Sequence, residues 1–297
     1  MGDIPGSNQA NCLNPLTYPK SAEPFDDHLF RQPTAEYRGS PFWSWNNKLD
    51  QEKLLRQLDV FQRMGMGGVH IHSRIGLDSE YLGPKFMECL RASVEKAKEK
   101  NMLTCLYDED RWPSGYAGGI VLKDHPEHRG LHYLLTPWKY GEAPEGTVGT
   151  GRKTSTSPVR SECGDYIASY DITLTEHGHL ASYKRLRPTE TGKNVWHLYV
   201  EPNPPSEFYN NDTYVDVLNK EAIQYFIKTT HEAFQREVGG DFGRTVPSIF
   251  TDEPQFQAKL GLKRTLDKLT YLGHGHGISP HSSKGRLDMI LSIVFQS

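Results

Sequence analysis

Several features that would assign this chain to a particular class are scarce or missing. Only four cysteines occur among 297 residues, and none is in CxxC spacing, so neither a disulfide framework nor a zinc ribbon is predicted. Cys89 and Cys105 fall in a predicted helix and a predicted strand, which favours reduced core residues. No apolar run approaches the roughly 18 residues that a membrane helix needs. The polar, proline-rich start lacks the apolar segment of a signal peptide.

The chain also lacks a large excess of either positive or negative charge. The formal net charge is −3, so the balance gives no reason to expect a nucleic-acid partner. The mean hydropathy of −0.64 is low, but 11% aromatic residues argue against disorder. We therefore expect a soluble cytoplasmic protein without a membrane partner. Asn211-Asp212-Thr213 would be a glycosylation acceptor if the chain were secreted.

Three short apolar segments alternate with two segments of helical periodicity in the first 110 residues. The apolar segments have the length of buried strands, and the others place apolar residues three or four positions apart. Asp50 is expected to cap the first helix and Pro84 to begin the second. The predicted strands are 37–45, 68–72 and 103–106. Strands separated by single helices and short connections predict a parallel α/β architecture.

The regular alternation stops after the third strand. Residues 130–212 contain period-two segments, separated by a span at 141–158 that is rich in Gly, Ser, Thr and Pro. This pattern predicts an antiparallel β insertion. A further helix is expected after Asn219, followed by a fourth strand at 247–251. We therefore predict an α/β fold that is a partial (β/α)8 TIM barrel of about four βα units, with the β insertion after its third strand.

The predicted organisation has five parts. They are an N-terminal tail or strap at 1–35, a first half-barrel segment at 36–129, the β-rich insertion at 130–212, the barrel continuation at 213–256 and an irregular basic tail at 257–297. Residues 258–297 hold six basic and two acidic residues. The histidines of this tail are compatible with a metal site, but its composition favours a flexible segment. They are His274, His276 and His281.

Each predicted strand ends in polar or aromatic side chains. Because the carboxyl ends of parallel strands meet at one rim of a barrel, these side chains are expected to converge. Aromatic rings can stack on the C–H faces of sugars, polar side chains can bind hydroxyl groups, and glycoside hydrolysis requires carboxylic acids. The candidate substrate-binding residues are Trp43, Trp45, Asn46, His70, His72, Tyr107, Asp108, Glu109 and Trp112. The candidate catalytic residues are Glu253 and Asp252.

Most of these candidates have a plainer interpretation. Trp43 and Trp45 are two positions apart, so they share one face of a strand and would equally suit the hydrophobic core. His70 and His72 also share a face, where they could ligate a metal or be hydrogen-bonded structural residues. The acids at 108–110 would also suit a solvated loop. The Asp-Glu-Pro sequence at 252–254, directly after an apolar strand, favours catalysis or ligand binding.

Four motifs together resemble glycoside hydrolase family 106, which comprises α-L-rhamnosidases and their uncharacterised relatives. The motifs are Phe-Trp-Ser-Trp-Asn at 42–46, Gly-Met-Gly-Gly-Val at 65–69, Tyr-Asp-Glu with Trp-Pro-Ser-Gly and Ala-Gly-Gly within 107–119, and Thr-Asp-Glu-Pro at 251–254. The Trp-Pro-Ser-Gly segment is the most specific of them. The resemblance covers about residues 36–256, and the β insertion matches more loosely.

The resemblance implies a TIM-barrel catalytic domain, inverting hydrolysis of terminal α-L-rhamnosides and dependence on calcium. By its position at the fourth strand, Glu253 matches the place where such barrels carry the general acid. Asp108 and Glu109 would line the sugar or metal site. Asp252 is assigned to orienting Glu253 or binding sugar.

The sequence departs from the family in extent. Only about half of a barrel is visible, and the later strands that should supply a catalytic base are not. We therefore interpret the chain as a glycoside hydrolase-like protein truncated to the N-terminal half of the catalytic barrel, and its activity is left open. The alternative is a non-catalytic protein that binds carbohydrates or other small molecules, or a truncated remnant in a biosynthetic gene set.

Overall fold

The computed structural model describes residues 25–142, 163–176 and 180–255, and the backbone of 271–275. This description leaves out the first 24 residues of the tail predicted at 1–35 and most of the span predicted at 141–158, from residue 143 onward. It also leaves out the side chains of His274, His276 and His281. In chain order, the helices of the described part are α1 (Asp27–Arg31), α2 (Gln51–Arg63), α3 (Pro84–Glu99), α4 (Ile120–Asp124), α5 (Lys220–Thr229) and α6 (His231–Val238). Its strands are β1 (Phe42–Trp45), β2 (Gly68–Ser73), β3 (Leu103–Tyr107), β4 (Leu131–Thr136), β5 (Asp165–Leu174), β6 (Leu180–Leu186), β7 (Val195–Pro202), β8 (Ile249–Phe250) and β9 (Tyr271–Gly275).

The described residues divide into two units. One comprises residues 25–118 and 225–254, and the other comprises the remainder. In the first unit, all neighbouring strands are parallel, in the order β1-β2-β3-β8. Its core contains apolar residues of β1–β3 and of helices α2, α3 and α6. The predicted parallel α/β arrangement is confirmed, and the described strands do not form a closed barrel.

The helix boundaries follow from local chemistry. The side chain of Asp50 accepts a hydrogen bond from the backbone N–H of Lys53 at 3.1 Å, which satisfies one of the unpaired donors at the start of α2. Pro84 occupies the first turn of α3, where its missing N–H costs no helical bond. Asn219 Oδ1 accepts from the N–H of Glu221 and of Ala222 at 3.0 and 3.3 Å. All three predicted helix starts are confirmed.

Other boundaries differ from the predictions. A turn of 3₁₀ helix at Ala35–Tyr37 occupies the expected start of the first strand, so β1 begins at Phe42. The helix after Asn219 is interrupted at Thr230, whose hydroxyl donates to the carbonyl oxygen of Phe226 at 2.9 Å. Side-chain bonding to the preceding turn is typical of threonine and disturbs regular helix geometry.

The second unit contains the predicted antiparallel insertion. Its sheet has the order β6-β5-β7-β4-β9, and every neighbouring pair is antiparallel. Tyr170, Trp196 and Leu198 lie in its apolar core. Strand β9 lies in the span expected to be an irregular tail and pairs with β4 in this sheet.

Candidate functional site

One face of the parallel sheet is covered by helices, and the other carries aromatic rings and histidines. Residues paired across parallel strands share a face, and the register pairs Phe42 with His70 and Tyr107 with Phe250. The rings contact each other: His72 and Tyr107 lie 3.9 Å apart between centroids, and Phe42 and Phe250 lie 5.4 Å apart. Phe42 is 53% exposed and Phe250 38% exposed. We call this set, Phe42, His70, His72, Tyr107 and Phe250, the aromatic face.

Trp43 and Trp45 point away from the aromatic face. They are only 4% and 1% exposed, lie edge to face with each other at 5.6 Å and belong to the hydrophobic core. The indole N–H of Trp43 donates to Gln57 Oε1 at 2.7 Å, which satisfies its polar atom inside the core. The structure therefore favours the core-packing interpretation of both tryptophans over sugar binding.

The two histidines of β2 are held on the aromatic face. His70 Nδ1 lies 3.1 Å from the carbonyl oxygen of Ser40. Burial lowers the pKa of His72 to about 4, with help from the charges of Arg74 and His70, so its imidazole is neutral near pH 7. Its Nδ1 is buried and finds no hydrogen-bond partner among the described residues. A metal site at this pair stays a prediction.

Asp108 follows β3 directly and is completely buried. Its Oδ1 accepts from the hydroxyl of Ser114 at 2.5 Å, and its Oδ2 accepts from the hydroxyl of Thr251 at 2.6 Å. His231 Nε2 lies 3.5 Å from the same Oδ2. Burial raises the pKa of Asp108, while these neighbours act in the opposite direction; burial also lowers the pKa of His231. Asp108 therefore ties the end of β3 to the residues that follow β8.

Glu109 organises the loop that follows β3. Its two carboxylate oxygens accept five backbone N–H groups at 2.5–3.0 Å, from Asp110, Gly115, Tyr116, Ala117 and Gly118. The side chain is fully buried. Burial raises its pKa to about 8, and the N–H donors act in the opposite direction.

The backbone at the end of this loop depends on glycine. Gly118 has a φ of +64°, and an added Cβ would lie 3.0 Å from the Cβ of Asp110, so this position is strained for any other residue. The sequence predicted that Glu109 would contact a ligand. In the structure its carboxylate binds the backbone of the loop from inside.

Asp252 and Glu253 lie at the carboxyl end of β8 and are tied to the neighbouring strand. The hydroxyl of Tyr107 donates to Asp252 Oδ2 at 2.8 Å, and the Asp252 N–H donates to Ser114 Oγ at 2.8 Å. The indole N–H of half-buried Trp112 donates to Glu253 Oε2 at 3.0 Å. Glu253 has a φ of +42°, a left-handed conformation that is uncommon outside glycine and is often found at functional sites.

Asn46 is exposed and directly follows β1, the edge strand of the parallel sheet. It contributes to a cavity of about 800 Å³ beside the start of α2. The lining of that cavity includes none of Asp108, Asp252 or Glu253. The structure therefore does not connect Asn46 with the acids at the ends of β3 and β8.

Sequence reasoning missed several members of this arrangement. Strand alternation places Phe42 and Phe250 on the face opposite to their core neighbours, but only once the packing shows which face is the core. His231 lies 123 positions from Asp108, and no local motif marks it. Ser114 was visible only as part of a motif, without its role as a bridge between Asp108 and the backbone of Asp252.

Calcium does not fit the residues that the resemblance suggested for it. Calcium takes six to eight oxygen ligands, whereas the carboxylate oxygens of Asp108 and Glu109 already accept hydrogen bonds from the chain itself. Calcium therefore stays an expectation drawn from the resemblance and enters no step below.

No protein-family profile matches the chain, and no curated protein matches it. Among solved structures, the chain is similar to a rhamnosidase from Novosphingobium sp. PP1Y, with 12% sequence identity and a TM-score of 0.29. The match covers 61% of this chain and 26% of that one, so the chain spans about a quarter of the enzyme's length. This is a distant likeness of structure only. In the part of the chain that the structure describes, every helix is too short or too polar to cross a bilayer.

Proposed function

We propose that this chain is a glycoside hydrolase-like protein that binds a glycoside at the carboxyl ends of β3 and β8. One observation carries the proposal: Tyr107 belongs to both parts of the site. Its ring packs against His72 and Phe250 on the aromatic face, and its hydroxyl donates to Asp252, the neighbour of Glu253. The aromatic rings and the acid pair are therefore joined in one arrangement.

The chemistry of these groups suits a sugar ligand. The exposed rings of Phe42 and Phe250 offer apolar surfaces for the C–H faces of a sugar ring. The carboxyl groups of Asp252 and Glu253 suit its hydroxyl groups and its glycosidic oxygen. Hydrolysis needs a carboxylic acid that protonates the departing oxygen, and Glu253 is the residue that we assign to this role. Asp252, fixed by Tyr107, positions it or binds sugar.

The substrate class comes from the sequence resemblance. The motifs at 42–46, 107–119 and 251–254 resemble those of α-L-rhamnosidases, so terminal α-L-rhamnosides are the proposed substrates. In this proposal the four parallel strands are the first part of a TIM barrel, and the aromatic face lines its interior. An inverting mechanism further requires a second carboxylate about 6.5–9.5 Å from the acid.

A non-catalytic carbohydrate-binding protein is the second candidate, and one observation favours it. Asp108 and Glu109 are buried acids that directly follow β3, and both bond to donors of the chain itself. They therefore serve the local structure, and neither is available as the second carboxylate of hydrolysis without breaking those bonds.

The deciding experiment uses Glu253→Gln, which keeps the size of the side chain and removes the acidic proton. Hydrolysis of an aryl α-L-rhamnoside should fall by at least about 100-fold, the usual contribution of general acid–base catalysis, while binding of rhamnose measured by calorimetry should persist. Glu95→Gln, an exposed change on α3, is the matched control and should leave both unchanged. Full turnover by Glu253→Gln would remove Glu253 from the mechanism. Binding without turnover in the wild-type chain would establish the second candidate.

A further inference from the structure

A compact group of three metal-binding side chains lies in the second unit, separate from the acids described above. His125 follows α4, and the turn of 3₁₀ helix Pro126–His128 comes next. The N–H of His128 donates to the carbonyl oxygen of His125 at 3.0 Å, which closes the turn. One ligand atom each of His125, Glu127 and His128 lies within 4.8 Å of the others.

One member of the group is fixed in place. His128 is only 8% exposed, and its carbonyl oxygen accepts the N–H of Asp216 at 2.8 Å. Its Nδ1 is buried and makes no hydrogen bond within the described residues. A buried polar atom without a partner is costly, so an additional partner at this ring would be stabilising.

The other two members can adjust. His125 is half-buried and Glu127 is exposed, and Glu127 Oε1 already lies 3.0 Å from His125 Nδ1. The rings of His125 and His128 are stacked, with centroids 5.1 Å apart.

We propose that His125, Glu127 and His128 bind a divalent transition-metal ion of the zinc type. Two imidazole nitrogens and one carboxylate oxygen are a donor set that zinc uses, with water in the fourth position. Nitrogen donors also distinguish this set from a calcium site, which takes oxygen ligands. Bond lengths of about 2.0–2.2 Å to zinc require the three donor atoms to move closer together, and the accessible side chains of His125 and Glu127 permit that movement.

The test is calorimetric titration of the full chain, freed of metal, with zinc chloride. Wild-type protein should bind one equivalent at this site, and the double variant His125→Ala/Glu127→Gln should lose at least tenfold in affinity. These two residues are chosen because they are accessible, so the variant should keep its fold, and far-ultraviolet circular dichroism checks this. His28→Ala, an exposed change on α1, is the matched control and should bind zinc like the wild type.

The histidines at 274, 276 and 281 are a competing source of zinc affinity, so a second variant replaces all three with alanine. It should retain the site, and its cobalt complex should show the intense visible bands of a tetrahedral ion, which should disappear when His125→Ala/Glu127→Gln is added to it. The proposal is overturned if the chain binds no zinc. It is equally overturned if binding survives in the double variant and disappears when the three tail histidines are replaced.

Discussion

The indole N–H of Trp112 donates to the Oε2 atom of Glu253 at 3.0 Å, across 141 positions of the chain. The two residues come from the loops that follow two adjacent parallel strands, β3 and β8. The bond fixes the orientation of a carboxyl group that is otherwise exposed. Orientation of a catalytic acid contributes to rate because the proton must be delivered along one direction.

Trp112→Phe should therefore lower turnover while preserving the aromatic ring. Glu253 becomes charged as it gives up its proton, and a hydrogen bond to a charged group contributes about 1.5–3 kcal/mol. We therefore expect kcat/KM for an aryl α-L-rhamnoside to fall about 10- to 100-fold. Trp138→Phe, a change at another half-buried tryptophan, should have no such effect. Unchanged kinetics in Trp112→Phe would mean that the bond does not position the acid.

Phe42 and Trp43 are neighbours in β1, and their replacement by alanine should have opposite consequences. Trp43 lies in the core, so Trp43→Ala leaves a large cavity and should lower the free energy of unfolding by about 3–5 kcal/mol. Phe42→Ala changes a half-exposed ring and should cost no more than about 1 kcal/mol, yet it should weaken glycoside binding. Urea unfolding and calorimetry measure the two effects. If Trp43→Ala weakened binding without loss of stability, the assignment of Trp43 to the core and of Phe42 to the binding face would be wrong.

Glu109 should make the protein less stable as pH rises. Burial raises its pKa from an ordinary value of 4.5 to about 8, so between these values the folded chain keeps a proton that the unfolded chain has lost. The unfolded state then binds fewer protons, and the free energy of unfolding falls as pH rises, by at most about 1.4 kcal/mol per pH unit. The decline ends above pH 8.

The measurement is urea unfolding from pH 6.5 to 9 of the wild type and of Glu109→Gln. The variant should be less stable throughout, because an amide has one acceptor oxygen for the five N–H groups, and its stability should lack this contribution to the pH slope. Asp78→Asn, an acid-to-amide change away from this loop, is the control and should keep the wild-type slope. Parallel slopes for the wild type and Glu109→Gln would show that the five N–H groups keep Glu109 ionised, contrary to the prediction.

Local chemistry made much of the fold predictable. Asp50, Pro84 and Asn219 act through hydrogen bonds to their own neighbours, so the sequence contains all the information that defines the helix starts. Alternation likewise predicted the antiparallel character of the insertion. The break at Thr230 was less predictable, because a threonine side chain can either follow the helix or bond to the preceding turn.

The site was harder to predict because it depends on contacts between distant positions. Alternation says that Trp43 and Phe42 face opposite sides of β1, but only the packing of α2 and α3 determines which side is covered. The acids at 108–110 look alike in sequence, yet Asp108 bonds to hydroxyl groups and Glu109 to backbone N–H groups. That distinction depends on the path of the loop, which no single motif specifies.

The way Glu109 holds its loop bears on how this protein could change over evolutionary time. The donors that surround its carboxylate are main-chain groups, which every residue except proline possesses. The exposed part of the loop around Trp112 can therefore exchange its side chains while the loop keeps its path, provided that Glu109, Gly118 and the Ser114 bridge between Asp108 and Asp252 remain. Trp112 lies on this loop, so the residue that reaches Glu253 is replaceable without rebuilding its support. Substitutions that alter which ligand is bound can therefore accumulate in this loop without loss of the fold.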